Sequence, residues 1–417
     1  MQDEIKTNKW IEIDIDAIVN NLRQVQQHLA DEVRLIAVLK ANAYGHGLQE
    51  TANILVNQGV DFLAVTFLEE AMALRQAGIT CSILLLSPLY TIEQMATAFN
   101  HNITVSINST DEAENIQALA RGSDTFSVHI KTDTGLGRFG SNLENILEIC
   151  NILQKNPSIY IEGVYTHMAE AASDQAGYTL KQFDQFMSII AFLEQNNIFI
   201  PIKHCANSAV FLKYPHMHLN AVRIGTLLSG QHPVGSFSTV LELKDPFLFK
   251  TRIISLRCLK AGSYLGYNRT YRLHKPALVA VIPVGFVDGL VLEVANTPAG
   301  LLDLIKIAVK YGLRYFNVEK YVPSVIIKGQ SCPIRGKVFM QLALVEIPSG
   351  LTDIKIGDEV TVPVRKTLTS RQTTRVYTKA GKIGKIMNDD KITYCVTGQS
   401  KEEEEPADGP DQGSAEQ

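Results

Sequence analysis

One pattern recurs eight times between residues 34 and 225: a short β-branched or apolar run, a turn, then a segment with apolar residues spaced three and four apart. The strand candidates are "RLIAVLK" (34–40), "FLAVTF" (62–67), "SILLLS" (82–87), "ITVSI" (103–107), "FSVHIK" (126–131), "YIEGVYTHM" (160–168), "IKHCAN" (202–207) and "LNAVRIG" (219–225). Helical segments such as 68–78 and 109–122 fill the gaps, the second opening on Ser-Thr-Asp cap chemistry. Eight such units in about 200 residues predict a (β/α)8 barrel. A doubly wound parallel sheet has the same periodicity and is the structural alternative.

After residue 245 the texture changes to extended, turn-bounded runs: "PFLFKTRIISLRCL", "PALVAVIPVGF", "SVIIKG", "KVFMQLALVEIP" and "EVTVPV". The expected layout is an α/β barrel over 12–245 and a mostly β domain over 246–395, to which residues 1–11 could add a strand. One stretch with helical spacing, 299–316, interrupts the β region. The last segment, 396–417, is read as an acidic disordered tail, because its end is rich in Pro, Gly and Glu and has almost nothing to bury. From Glu402 onward it holds seven of the chain's 43 acids and no Lys or Arg. The rest is therefore nearly balanced against 39 cations and shows no basic stripe for nucleic acid. A polar N-terminus and the lack of a long apolar run argue against a signal peptide or membrane span, so a cytoplasmic location is expected. Six cysteines (81, 150, 205, 258, 332 and 395) without C-x-x-C spacing suggest neither a disulfide framework nor a metal site.

In such barrels the chemistry lies where the strands end. Lys40 ends the first strand and is followed by Asn42, Tyr44 and His46; Lys131 ends the fifth before a Gly-punctuated loop carrying Arg138. His167 ends the sixth, Asn207 and Ser208 follow the seventh, and Arg223 precedes Gly225 and Thr226 at the eighth. Taken singly, each has an ordinary reading: a surface lysine, a rim histidine, ion-pair arginines. Together they gather polar groups at one rim. Loops after strands 7 and 8 often bind phosphate through free N–H groups, and burial lowers a lysine's pKa from roughly 10.4 so that its amine becomes a nucleophile. These residues point to a Schiff-base enzyme acting with a phosphorylated aldehyde.

The stretch "AVLKANAYGHG" (37–47) resembles the pyridoxal-phosphate lysine motif of bacterial alanine racemases. The similarity continues in order through "VHIKTDTGLGRFG", "THMAEAASD", "CANSAV", "AVRIGTLLSG", "LGYNRTY", "IPVGFVDG", "GKVFMQLALVEI" and "IGDEV", spanning about residues 10–362. The resemblance implies a homodimeric enzyme that racemises L- and D-alanine with pyridoxal 5'-phosphate and supplies D-alanine for peptidoglycan. It implies that Lys40 holds the cofactor and acts as one base. Tyr267 would be the opposite base, reaching into the neighbouring subunit's site. Arg223 would face the pyridine nitrogen and His167 the ring. Tyr44, Asn207, Ser208, Gly225 and Thr226 would bind the cofactor, most of them at its phosphate. Arg138 and Met340 would meet the substrate carboxylate, and Lys131, carbamylated in several members, would hold Arg138. Two bases on opposite faces of Cα are what racemisation requires, and the cofactor supplies carbanion stabilisation.

Three departures stand out. The family's "GYADG" reads "GFVDG", placing Phe286 where a hydroxyl is usual, and "CMDQ" reads "FMQL", with Gln341 for an aspartate. The C-terminal tyrosine that binds phosphate has only Tyr377 as a candidate, which matches the terminal-strand tyrosine equally well and is left unassigned. The segment 299–316 looks like an insertion. A racemase for another small amino acid such as serine, a decarboxylase of the same layout, and a non-catalytic cofactor-binding protein are the competing readings. Arg223, Tyr267 and the second domain speak against the last two.

Overall fold

The computed structural model describes residues 5, 7–119, 125–235, 237, 240–293, 297–298, 300–388, 391–396 and 399–401, from 388 onward by backbone alone. An opening strand, β1 (Lys9–Asp14), precedes eight barrel strands: β2 (Arg34–Val38), β3 (Phe62–Val65), β4 (Ser82–Leu85), β5 (Thr104–Ile107), β6 (Phe126–Lys131), β7 (Ile159–Tyr165), β8 (Ile202–His204) and β9 (Ala221–Ile224). They pair in parallel in the order β8-β7-β6-β5-β4-β3-β2-β9. The ring closes through a single bridge, Ala206 to Val222, with the Arg223 N–H donating to the Ala206 carbonyl at 2.9 Å. The doubly wound alternative is therefore excluded.

Strand alternation divides the buried residues into two sets. Leu35, Ala37, Leu63, Val65, Ile83 and Leu85 face the surrounding helices in the main core, while Ile36, Val38, Phe62, Ala64, Leu84 and Ala221 form a separate cluster inside the barrel. Two residues on from an inward Ala221 lies Arg223, and the same parity carries His129 and Lys131 inward on β6. A Cβ at Gly163 on the neighbouring strand would lie 2.5 Å from the His129 ring, so that ring takes the space of a missing side chain.

The second unit is built on a nine-stranded sheet in which β1 lies between Phe247–Arg252 (antiparallel) and Arg375–Lys379 (parallel). Trp10 of β1 is fully buried there with Val376 and Ile386. A three-stranded sheet (Ser255–Leu259, Ala277–Ile282, Ala343–Ile347) and a short hairpin (Tyr264–Leu265 with Tyr271–Arg272) complete it. The expected helix at 299–316 forms over Leu301–Tyr315. Regular structure runs further toward the C-terminus than expected: Lys391–Val396 and Gln399–Lys401 pair at the sheet edge, the β-branched "KITYCV" outweighing the acidic sequence beyond it. The rest of the tail, from 402, lies outside the described residues. Among the described residues no helix is long and apolar enough to cross a membrane.

The two units grip one loop between them. After β2 the chain winds left-handed through Ala41, Asn42, Ala43 and Tyr44, with φ between 51° and 57°. Arg375 donates from Nε to the Gly45 carbonyl at 3.1 Å, and the Tyr377 hydroxyl to the His46 carbonyl at 2.9 Å. A Cβ at Gly47 (φ 96°) would lie 2.0 Å from the Tyr377 hydroxyl, whereas one at Gly59 (φ 90°) meets open space. Both glycines sit where an L-residue is strained. Gly59→Ala should cost about 1 kcal/mol of stability, and Gly47→Ala roughly 1–3 kcal/mol more because the clamp must also move. Urea denaturation of the two variants side by side checks this.

Candidate active site

Lys40 follows β2 at the barrel's C-terminal rim, and the left-handed turn after it sends the next side chains away from their helical directions. The turn is held at its start by the buried Glu70, whose Oε1 accepts from the Ala41 N–H (2.8 Å) while Oε2 accepts from Thr66 and Phe67 (3.0 and 3.2 Å). Asn42 does not line the cavity but accepts from the Leu48 N–H at 2.8 Å, closing the loop on itself. Tyr44 is thereby brought against the end of β9: a Cβ at Gly225 would lie 2.1 Å from its hydroxyl. Ser208 completes this corner, its Oγ accepting from the Gly225 N–H at 3.4 Å. Asn207 caps the short helix behind it, accepting from Ala209 and Val210 at 3.0 and 3.1 Å.

The cavity enclosed by these groups has a volume of about 460 Å³. Lys40, Tyr44, Lys131, Arg138, His167, Asn207, Ser208, Arg223, Gly225 and Thr226 all line it, so ten of the positions singled out from the sequence converge. Tyr267 and Met340 do not. They lie on the second unit, 65% and 60% exposed, next to each other in effect: the Tyr267 ring meets Phe339 edge-on at 4.8 Å, and the Phe339 and Met340 carbonyls accept from Phe286 and Val287 at 3.1 and 3.2 Å. Gln341 is exposed. Tyr377 is fully buried in the clamp on His46 and also stands outside the cavity.

Four cationic side chains face the cavity, and no lining residue is an Asp or Glu. The two arginines act on both lysines. Lys40 is held below the usual lysine range, first by burial and then by Arg138 and Arg223, with Glu70 opposing. Lys131, 2% exposed, is lowered to about 7 by burial and by the same two arginines. His167 is pushed well below its ordinary value by burial, Arg223 and Lys131, and stays neutral. Such a site is short of negative charge.

Behind the cavity a buried chain of hydrogen bonds fixes Arg223. Its Nη2 donates to the Thr166 carbonyl at 2.7 Å, and its Nη1 to His204 Nδ1 at 2.8 Å. Arginine can only donate, so the His204 proton sits on Nε2 and points to His129 Nδ1, 2.9 Å away. The His129 proton is then forced onto Nε2, which faces the Glu162 carboxylate at 3.2 Å. Burial, the largest influence on both imidazoles, keeps them neutral. Tyr165 stacks on His204 at 4.8 Å and lies under both Arg223 and Lys131, with each cation within 5.0 Å of its ring. None of Tyr165, His204, His129, Glu162 or Glu70 is singled out by end-of-strand reading. Strand alternation counted back two residues from His167 and Lys131 reaches Tyr165 and His129.

The family model "Alanine racemase, N-terminal domain" matches residues 13–233, and "Alanine racemase, C-terminal domain" matches 247–389. The chain belongs to the alanine racemase family. Alanine racemase 1 of Oceanobacillus iheyensis is 33% identical over 358 residues, covering 85% of this chain and 88% of the relative. The alanine racemase of Clostridium tetani is 35% identical, with 84% of each covered. Among solved structures, the alanine racemase of Clostridium difficile 630 superposes with a TM-score of 0.81 at 28% identity, over 92% of this chain and 99% of that one.

The depressed pKa of Lys131 has a consequence for stability. Its folded value near 7 lies below the unfolded 10.5, so between these limits the unfolded chain binds more protons and stability rises with pH. Chemical denaturation from pH 7 to 10 should show that gain in the wild type, and Lys131→Met should flatten it.

Proposed function

We propose that this enzyme interconverts L- and D-alanine with pyridoxal 5'-phosphate held in the rim cavity, and that Lys40 and Tyr267 of the partner subunit are its two bases. The observation that carries the reading is the convergence of three cations, with no acid among the described lining residues, around a fourth, Lys40, whose burial favours the neutral amine. The cofactor fits this cavity on its own residues. A phosphate would be held by the Tyr44 and Ser208 hydroxyls and the backbone of Gly225 and Thr226, in a corner where a Cβ on residue 225 would collide. Arg223 offers the pyridine nitrogen a donor that it cannot withdraw, and Lys40 offers the aldehyde an unprotonated amine. When bound, the cofactor supplies the electron sink for the negative charge left at Cα.

The remaining work belongs to the chain. Arg138 can receive the substrate carboxylate, with the buried Lys131 beside it. Lys40 Nζ takes or returns the Cα proton on the face toward the barrel. The opposite face needs a second base, and Tyr267 is displayed outward with Phe339, Met340 and Phe286 as a single patch. Head-to-tail pairing of two copies would bring that patch over the partner's cavity, which is the reason to read the enzyme as a homodimer. Neutral His167, beside Arg223 at 3.4 Å, adds no further positive charge.

Exchange of the alanine Cα hydrogen in D2O tests the assignment. The loaded wild type should exchange and racemise both enantiomers. Lys40→Ala should lose all turnover, and Tyr267→Phe should lose about 10²–10⁴-fold. Full racemisation by Tyr267→Phe would remove Tyr267 from the mechanism, and exchange of serine in place of alanine would redirect the specificity.

A further inference from the structure

The helix Leu301–Tyr315 is turned inside out. Asp303, Lys306, Lys310 and Arg314 fall on one stripe, and Leu301, Leu304, Ile305, Ala308, Gly312 and Tyr315 on the opposite one. A surface helix ordinarily lays its apolar stripe on its own domain. Here the inward stripe is a mixed one: Asp303 and Arg314 are half-buried beside Ile307 and Leu313, Lys310 pairs with Glu293 at 2.9 Å, and Arg314 and Tyr315 line a groove with Phe286, Leu292 and Thr270. No residue of the helix is buried. Leu301 is 73% exposed, Leu304 50%, Ile305 48% and Tyr315 80%. Apolar area on this scale, gathered on one face, marks an interaction surface.

We infer that this helix is an arm that packs on the cavity-bearing barrel rim of a second copy. The inference rests on the dimer reading above and extends it to residues outside the catalytic patch. Two observations select this occupant. The arm is continuous with the patch that the dimer reading turns toward the partner, since Phe286 borders both the groove under Arg314 and the Phe339 carbonyl. The rim has an unfilled apolar surface of its own, with Phe67, Tyr90, Ile92 and Val234 between 57% and 91% exposed around the loops that follow β3, β4 and β9. Ala308 and Gly312, one turn apart at the centre of the apolar face, let another protein surface approach closely.

Sedimentation of the cofactor-loaded protein across a dilution series tests the arm. Leu304→Glu with Ile305→Glu should raise the dimer dissociation constant about tenfold or more, and specific activity should fall on dilution in parallel. Ala308→Glu, which adds a carboxylate without removing any large apolar group, should act in the same direction. Circular dichroism confirms that each variant is folded. An unchanged dissociation constant in both variants overturns the inference. So does flotation of the wild type, but not the variants, with phosphatidylglycerol vesicles, which would make the face a membrane contact. Mixing Lys40→Ala with Tyr267→Phe protomers reads the shared active site separately. Recovered activity there, with an unchanged dissociation constant in the arm variants, would remove the arm and leave the two-subunit site standing.

Discussion

L-residues wind left-handed at a cost of roughly 1–2 kcal/mol each, and this chain does so four times in succession directly after Lys40. Nothing in "ANAY" favours that conformation beyond the tolerance of Asn42, so the turn exists because its surroundings over-determine it. Glu70 holds its first N–H, Asn42 closes its far side, and Arg375 and Tyr377 take the carbonyls of Gly45 and His46. The return on that cost is positional. A right-handed helix after β2 would carry Tyr44 along a different face, and the corner with Ser208 and Gly225 would be missing one wall.

Much of the layout was legible in the sequence. The eight apolar runs between residues 34 and 225 became the eight barrel strands, and the polar residues that end them line one cavity. The physical reason is that parallel strands buried on both faces leave a strong signal, and their ends are marked by the first residues that do not fit a core. What stayed hidden depends on distant partners. Whether Tyr377 binds a ligand or clamps a loop is decided by the fold of residues 45–47, more than three hundred positions away. Glu162 and His129 look like ordinary strand residues until alternation and the bare Gly163 bring His129 beside His204. The inverted helix at 301–315 has the periodicity of any amphipathic helix; only its placement tells which stripe faces inward.

The chain from Arg223 through His204 and His129 to Glu162 has a direction. Every proton in it is fixed by the one before, starting from a group that can only donate. The guanidinium is buried beside other cations, and the chain that holds it ends on the Glu162 carboxylate beyond two neutral rings, away from the cavity. The acid that anchors the chain is thereby kept out of a site whose described lining holds none.

The clamp on residues 45–47 also bears on the order in which the molecule is assembled. The strand that supplies Arg375 and Tyr377 is made more than three hundred residues after the loop it clamps, and it pairs with β1, made before the barrel. A nascent barrel can therefore have all eight strands and still lack the restraint that fixes Tyr44. The loop after Lys40 is fixed only once the second unit has been made, and a product truncated before Arg375 would carry Lys40 without that clamp.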